Sequence, residues 1–317
     1  DGGATWSSIG TNAPSTPASG NANMIWTGTY YVQASPSQNG IVYRTSLGGA
    51  GTNVTTNIAY APIDIAWSGA LAILVGGTAV IGYSTTITSW SSATFTGNTA
   101  TGVAYGNSTF VLAGRVNTGT VGSIWTTTNG TTFTQQTLPA GFGGASNAVY
   151  SVSYQNSLFI AVDSKGAVAT SPDGVTWTLK CAAYTLAQME TVTPWFFNPP
   201  SSIASHTYAK VVYCKGLYFY CSYYSADLIT WKLMPMFLQM GPQMAGPVSA
   251  YQGPYPGGCL ATDGTKVYFG GVQVVAGCLV NGDGGYFNPF NYTTSTQFAV
   301  PRLADMQNGM TNFYIKT

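Results

Sequence analysis

The feature of this chain that most constrains its fold is an internal repeat, whose clearest copy is "VYSVSYQNSLFIAVDSKGAVATSPDGVTWTL" at 149–179. Its alternation of apolar and polar residues predicts four short β-strands separated by turns, with SPDG as the last turn. Further copies of the unit lie at 102–135 and 209–233, and weaker copies lie at 63–90, 259–287 and 24–46. One supersecondary unit therefore recurs along most of the chain.

The corner before the fourth strand of each unit sets the period of this repeat. An aromatic residue follows each corner, at Trp90, Phe133, Trp177, Trp231 and Phe287. Spacings of 43, 44, 54 and 56 residues between them suit the four-stranded blades of a β-propeller. We predict an all-β fold in which residues 1–317 form a single β-propeller domain of seven blades. Six blades are the alternative, because the first and last units are the least regular.

The two ends of the chain complement one another. The chain ends in "NFYIKT", which has the pattern of a third strand, and begins with "DGGATW", which has the pattern of a corner and a fourth strand. Joined together, 314–317 and 1–6 complete one more blade. Such closure removes sheet edges that would otherwise be exposed, so we predict that the N- and C-terminal strands pair within one blade.

The corners resemble Asp-boxes, the S/T-x-D-x-G-x-T-W turns, also called BNR repeats, of sialidase-like propellers. The stretches that carry this resemblance are "DGGATW" at 1–6, "TTNGTTF" at 127–133 and "SPDGVTW" at 171–177. In that family the boxes lie away from the substrate face, so the resemblance implies a structural role for their residues. The residues at the Asp and aromatic positions are Asp1, Trp6, Asn129, Phe133, Asp173, Trp177, Asp227, Trp231, Asp283 and Phe287.

The scarcity of charge excludes one class of function. The chain has 10 Lys and Arg and 9 Asp and Glu, or 6 % charged residues, and a formal net charge of +1. Nucleic-acid binding requires clustered cations that displace counterions from phosphates, and the sequence contains no such cluster. We therefore predict no nucleic-acid partner.

The longest apolar stretch, at 70–83, is too short for a membrane span, which needs roughly 18–20 residues, and Gly76 and Gly77 interrupt it. We interpret it as two strands and a turn, and predict no membrane span. The chain starts at Asp1 without Met or a signal-like segment, so we expect a processed or excised piece of a longer protein.

Metal and cofactor chemistry has little support in the sequence. The five cysteines form no CxxC pattern, and His206 and Glu190 are the only histidine and the only glutamate. Zinc would lack its usual ligands, so we predict no metal site and no cofactor, and we interpret the cysteines as buried free thiols.

Hydrolysis of sugars is the enzymatic alternative. The sialidase-like resemblance would imply an arginine triad, and the chain has Arg44, Arg115 and Arg302, but Arg44 falls inside a predicted third strand. Other glycosidases need two facing carboxylates. The carboxylates that are not committed to corners or turns are Asp64, Asp163, Glu190 and Asp305. Nothing in the sequence brings two of them together, so we predict that the chain is not an enzyme. A glycoside hydrolase, with Asp163 beside Glu190 or Asp64, stays the alternative.

Two long insertions interrupt the repeat, at 181–208 and 234–258, and both are rich in aromatic residues or methionine. They connect successive blades, so they should emerge on the same face as the loops between second and third strands. One interpretation is that they cap the central channel as a small extra core. The functional interpretation is a ligand-binding face, since exposed aromatics serve as contact surfaces for proteins and sugar rings. Its predicted residues are Trp195, Phe196, Phe197, His206, Arg115, Asp163 and Tyr223.

Charge-poor repeats rich in Gly, Thr, Asn and Tyr, with degenerate corners, also resemble those of bacteriophage tail-fibre and tail-tip adhesion proteins. This resemblance implies a virion or extracellular location and attachment to a host-surface glycan or protein. It also implies contacts with other virion or surface proteins through the insertions 181–208 and 234–258. A secreted propeller lectin is a further alternative, which the differences between the loops of successive blades disfavour.

Overall fold

We analysed a computed structural model of the chain, in which every regular element described is a β-strand. The residues that the structure describes are 24–35, 40–46, 51–56, 62–76, 79–96, 98–116, 121–182, 210–220, 223–233, 259–262, 264, 266–271, 274–279, 297–298 and 315–316. Within these ranges, no helix is long and apolar enough to cross a membrane.

The chain divides into two compact units, Asp1–Ala183 and Tyr184–Thr317. The first unit contains four antiparallel sheets, each of four strands in chain order, which we number blades 1 to 4. Their strands are β1 (Met24–Trp26), β2 (Tyr31–Ser35), β3 (Gly40–Arg44) and β4 (Thr52–Thr55) in blade 1; β5 (Asp64–Trp67), β6 (Ala72–Val75), β7 (Val80–Ser84) and β8 (Ser91–Thr94) in blade 2; β9 (Asn98–Gly106), β10 (Thr109–Val116), β11 (Val121–Thr127) and β12 (Thr134–Gln135) in blade 3; and β13 (Val149–Gln155), β14 (Leu158–Asp163), β15 (Val168–Ser171) and β16 (Thr178–Cys181) in blade 4.

The second unit contains a four-stranded blade 5, a three-stranded blade 6 and a two-stranded sheet. Their strands are β17 (Val212–Cys214), β18 (Leu217–Tyr220), β19 (Tyr223–Ser225) and β20 (Lys232–Leu233); β21 (Cys259–Thr262), β22 (Lys266–Gly271) and β23 (Val274–Leu279); and β24 (Gln297–Phe298) with β25 (Ile315–Lys316).

The blades coincide with the repeats of the sequence, so the prediction of an all-β fold built from four-stranded units is confirmed. The apolar stretch 70–83 forms β6 and β7, as predicted. Blade 1 also has a fourth strand, β4, which the degenerate corner of that repeat did not indicate. Residues 1–6 lie outside the described residues, so pairing of the two chain ends and the number of seven blades stay predictions.

Short hairpins join the first two strands of several blades. In blades 3 and 4 the connections are Asn107–Ser108 and Asn156–Ser157, and all four residues have positive φ, between 43° and 61°. Two consecutive residues of this conformation make the type I′ turn, whose twist matches that of the flanking strands. The tight turns explain why the first two strands of each repeat follow one another so closely in the sequence.

The hydrophobic core of the first unit lies between successive blades. One cluster joins Val32, Ala34 and Ile41 of blade 1 to Ile65, Ala72 and Leu74 of blade 2. Another joins Val111, Ala113 and Ile124 of blade 3 to Val152, Phe159 and Ala161 of blade 4. Nearly all these side chains are fully buried, and each contributes roughly 1.5–3 kcal/mol when it is a large aliphatic or aromatic one.

Glycines let the first strands of blades 3 and 4 approach closely. A Cβ at Gly106 would lie 2.2 Å from Cγ of Tyr154, and one at Gly102 would lie 3.2 Å from Cα of Ser151. Strands β9 and β13 therefore run side by side in the same direction.

Each blade has two ends. The loop end is where the second strand passes to the third, and the corner end is where the third strand passes to the fourth.

Candidate functional site

The corner of blade 4, residues 171–177, is closed by one carboxylate oxygen. Oδ1 of Asp173 accepts hydrogen bonds from the backbone N–H groups of Val175 and Thr176, both at 2.8 Å, and from Ser171 Oγ at 2.9 Å. Indole Nε1 of Trp177 donates to the carbonyl oxygen of Gly174 at 2.9 Å. These hydrogen bonds lower the pKa of Asp173 because they favour the charged carboxylate.

The corners of blades 3 and 5 repeat this geometry. Oδ1 of Asn129 accepts from two successive backbone N–H groups at 2.9 Å, and Oδ1 of Asp227 does the same at 2.8 Å. The pKa of Asp227 is also lowered; burial alone would raise it, but backbone hydrogen bonds outweigh that effect. Of the aromatic residues that end these corners, Phe133 is half-buried and Trp231 is buried. These residues therefore hold the corners together.

One position in each corner has a left-handed backbone. Gly130 and Gly174 have φ of 73° and 80°, and the equivalent Ile87 and Leu228 have φ of 68° and 64°. Glycine adopts this conformation without cost, whereas a side chain strains it. Ile87 and Leu228 are each 2 % exposed, so burial of the side chain offsets the strain.

The loop end of blades 3 and 4 is organised around Asp163, the last residue of β14. Its Oδ1 accepts from the backbone N–H groups of Lys165 (3.0 Å) and Ala167 (2.9 Å). Its Oδ2 accepts from Gly143 N–H (3.1 Å) and from Nδ2 of Asn147 (2.6 Å). The carboxylate thus fastens the loop 136–148, which joins the two blades, to the turn after β14.

Asn147 extends this network. Its Oδ1 accepts a hydrogen bond from Ser164 Oγ at 2.7 Å, and Ser164 N–H donates to the carbonyl oxygen of Ala148 at 2.8 Å. On the other side of the loop, Gly122 N–H of blade 3 donates to the carbonyl oxygen of Gly144 at 3.0 Å. Loop 136–148 is therefore fixed to both blades by hydrogen bonds, and the buried ring of Phe142 anchors it in the core.

This arrangement corrects the predicted role of Asp163 as a ligand contact in a loop. Asp163 belongs to a strand, is 1 % exposed, and both of its oxygens are occupied by donors of the protein itself. Burial raises the pKa of Asp163, and its hydrogen bonds only partly offset this. A ligand would have to displace those donors, so Asp163 positions the loop and does not face a ligand.

Asp64, the second candidate catalytic carboxylate within the described residues, is also buried, at 1 % exposure. Its Oδ1 accepts from the backbone N–H of Ile65 and its Oδ2 from that of Val103, each at 2.8 Å. The second bond ties the first strand of blade 2 to the first strand of blade 3. Asp64 and Asp163 therefore lie in different blades, each in its own hydrogen-bond network.

Two of the three arginines, Arg44 and Arg115, lie within the described residues. Arg44 ends β3 and is buried, as its placement in a third strand predicted. Arg115 lies in β10, one residue before its end, and not in the loop that the sequence indicated. It is half-buried, and its Nε is buried without a hydrogen-bond partner among the described residues.

Several residues that the sequence singled out lie outside the described residues. They are Trp195, Phe196, Phe197, His206, Glu190, Arg302 and the corner residues Asp1, Trp6, Asp283 and Phe287. Tyr223 is the first residue of β19. The part of the chain that the structure describes contains no group of three or more His, Cys, Asp or Glu that could hold a metal ion.

Loop 136–148 and Asn147 were not predicted from the sequence. A signal for this loop was present in the sequence, namely the three glycines of "AGFGGAS" at 140–146. In the structure these glycines, Gly141, Gly143 and Gly144, have positive φ, and so does Ser146. Several glycines close together between two strand units indicate an irregular connection. The hydrogen bonds of this loop to Asp163 could not be predicted, because Asp163 lies in the next repeat.

Comparison with solved structures establishes the fold. The chain is similar to catalytically inactive virginiamycin B lyase from Staphylococcus aureus with quinupristin, at 10 % identity and a TM-score of 0.55 over 81 % of this chain and 79 % of that one. It is similar to YCF48 bound to D1 peptide, at 11 % identity and a TM-score of 0.52 over 90 % of both chains. It is also similar to YCF48 from Cyanidioschyzon merolae, at 15 % identity and a TM-score of 0.51 over 89 % of this chain and 90 % of that one. The fold is therefore a β-propeller.

No protein-family model matches the chain, and no curated protein matches it either. At identities of 10 to 15 %, the structural neighbours indicate the fold and nothing of the activity.

Proposed function

Starting from this β-propeller fold, we propose that the chain is a non-enzymatic attachment or structural module on the outside of a virion or cell, of the kind found in bacteriophage tails. Its partner is a host-surface glycan or protein. The observation that carries the proposal is the use of the four described carboxylates as hydrogen-bond acceptors for the scaffold.

Each of these carboxylates accepts at least two backbone N–H groups. They are Asp64, Asp163, Asp173 and Asp227. A glycosidase needs two carboxylates that face each other across the scissile bond, at roughly 5–10 Å. Carboxylates held inside separate turns and blade junctions are unsuited to this, and their use as structural acceptors supports a scaffold over a hydrolase.

The corner geometry supports a second part of the proposal, that the corners are degenerate Asp-boxes. Three corners share an acceptor oxygen that binds two successive backbone N–H groups, at Asn129, Asp173 and Asp227. The Thr or Ser two residues before each of them donates its hydroxyl to the same oxygen. The loop end is then the face available for partners.

We place the binding function on that loop end, together with the insertions 181–208 and 234–258. The residues proposed to contact a partner are Trp195, Phe196, Phe197, His206, Arg115 and Tyr223. Other virion or surface proteins are proposed to contact the insertions. A polar surface with few charges, 6 % of the chain, suits contacts made by hydrogen bonds and aromatic stacking.

The experiment is a broad glycan array probed with the purified chain, with release of free sugar assayed in the same samples. We expect saturable binding without release. Trp195→Ala should reduce binding, whereas Trp26→Ala, which removes a 50 % exposed tryptophan from blade 1, should leave it unchanged.

Two results would count against the proposal. Sugar release that Glu190→Gln abolishes would establish the hydrolase alternative instead. Silence of the whole array would remove the glycan as a partner and leave only the protein-contacting form of the proposal.

A further inference from the structure

The loop end of blades 3 and 4 carries three cations, Arg115, Lys165 and Lys180. We infer that this surface binds an anionic polysaccharide, one bearing carboxylate or phosphate groups. The inference rests on the proposed attachment function and specifies the chemistry of its ligand.

The strand register places the three cations at the same end of the two sheets. Arg115 pairs with Thr99 and Gly122, next to the last residue of β10. Lys165 lies in the turn that follows β14. Lys180 is next to the last residue of β16, whose final residue Cys181 pairs with the first residue of β15.

The two blades are joined at this end, so their cations share one surface. Loop 136–148 is hydrogen-bonded to Gly122 of blade 3 and to Asp163 of blade 4. Its hydrogen bonds involve backbone groups and the buried Asn147, and they fix the loop between the two sheets. The loop end of blades 3 and 4 is thus a connected surface with a fixed backbone.

The described charge on this surface has one sign. Lys165 is exposed, Lys180 and Arg115 are half-buried, and Asp163, the described carboxylate at this end, is buried. Asp173, the half-buried carboxylate of blade 4, lies at the opposite, corner end. Blade 4 therefore separates its charges, with cations at the loop end and this anion at the corner end.

Arg115 supplies an independent indication of a ligand. Its Nε is buried and has no hydrogen-bond partner within the described part of the chain. A buried guanidinium N–H without a partner is costly. A carboxylate or phosphate bound by the rest of the half-buried guanidinium group stabilises its charge, because the planar fork of arginine matches those groups. The two lysines add point charges beside it.

An anionic polysaccharide suits this surface better than the other anionic polymers. Nucleic acid has a dense line of phosphates and needs more cations than three to bind well. An acidic sugar polymer has a lower charge density than duplex DNA, and it has hydroxyl groups for the surrounding Ser and Thr. Ser146, an exposed residue of loop 136–148, is one such hydrogen-bonding group.

The test measures binding of the full chain to polygalacturonate, to dextran phosphate and to neutral dextran, at low and high salt. We expect binding to at least one anionic polymer, weakened by salt because the charges are at the surface. Removing one lysine, by Lys165→Gln or Lys180→Gln, should weaken binding about two- to fivefold, and the double variant should weaken it further. Binding to one polymer alone identifies its group, carboxylate or phosphate, as the ligand.

Lys215→Asn is the matched control. Lys215 is an exposed lysine in the hairpin turn of blade 5, with φ of 46°, a conformation that asparagine tolerates. The substitution Lys215→Asn removes one positive charge from the chain, as each lysine variant does, but away from the loop end of blades 3 and 4. We therefore expect no change in binding. An equal loss with Lys215→Asn would show that net charge and not this surface matters, and would overturn the inference.

Four further outcomes are decisive. Equal binding of dextran, or equal binding of single-stranded DNA of similar length, would overturn the inference. Binding of neutral glycans that the loop-end variants leave unchanged would overturn it while the attachment function stands. Release of galacturonate from the polymer would instead contradict the non-enzymatic function.

Discussion

The same substitution, aspartate to asparagine, should destabilise the chain far more at Asp64 than at Asp173. In Asp173, the single oxygen Oδ1 accepts hydrogen bonds from two backbone N–H groups. In Asp64, both oxygens are used: Oδ1 accepts from the N–H of Ile65, and Oδ2 accepts from the N–H of Val103. An asparagine has a single acceptor oxygen and one NH₂ group, so it can replace the first aspartate and cannot replace the second.

The magnitude follows from the geometry. In Asp64→Asn the amide NH₂ would face one of the backbone N–H groups at a site that is 1 % exposed. The lost bond to a charged group is worth about 1.5–3 kcal/mol, and the unsatisfied buried donors cost about 1–3 kcal/mol more. We expect a loss of about 3–5 kcal/mol in the free energy of unfolding. Asp173→Asn keeps both bonds at a half-buried site, so we expect a loss of about 1 kcal/mol or less.

Asn129 is the natural precedent for the smaller effect, because its amide oxygen accepts the same pair of backbone N–H groups at 2.9 Å in blade 3. The assay is denaturant unfolding of both variants and the parent chain at pH 7, followed by tryptophan fluorescence and circular dichroism. Equal losses for the two variants, or an Asp64→Asn loss below about 1 kcal/mol, would refute the argument from oxygen usage.

Three further predictions concern packing and ionisation. Gly174→Ala should destabilise the chain by about 2–4 kcal/mol, since a Cβ there would lie 2.7 Å from Cγ2 of Val111. Gly69→Ala, where a Cβ meets nothing within 4 Å, should cost only the left-handed backbone strain of about 1–2 kcal/mol. Equal losses in thermal unfolding would contradict this. The raised pKa of Asp163 means that the native state holds this proton more readily than the unfolded chain, so the stability from this group is full below its ordinary value of 3.8 and is lost as pH rises through the folded pKa. Asp163→Asn should therefore flatten the stability profile above pH 3.8, and an unchanged slope would contradict the assignment. Burial raises the pKa of Tyr224 to about 12, so Tyr224→Phe should remove one tyrosinate that ionises near that pH in an ultraviolet titration, and an identical curve would show the assignment wrong.

The sequence predicted the blades because each of them is specified by local chemistry. Alternating apolar residues define the strands, and Asp173 with Gly174 supplies both the acceptor and the left-handed backbone of its corner. The same argument located the corners at Asn129 and Asp227. It failed for β4, where residues 47–50 carry no corner pattern and the strand pairs with β3 all the same.

The candidate site could be predicted only in part. Arg115 and Asp163 were both recognised as belonging to the loop end of their blades, but the sequence could not distinguish an exposed carboxylate from a buried one. That distinction depends on Asn147 and Gly143, which reach Asp163 from a loop that precedes β13. Burial of a polar group is decided by neighbours from another part of the chain, and a repeat pattern contains no information about them.

The sequence by itself determined the all-β class, the length of the repeat and the chemistry of the corners, because these depend on residues close together in the chain. Tertiary structure alone decided which carboxylates serve the scaffold and which cations share a surface. Asp64 meets Val103 of the next blade, and Arg115 shares the loop end with Lys165 and Lys180, only because neighbouring blades pack with their first strands side by side. The same packing buries Asp163 and leaves the three cations at the surface of blades 3 and 4.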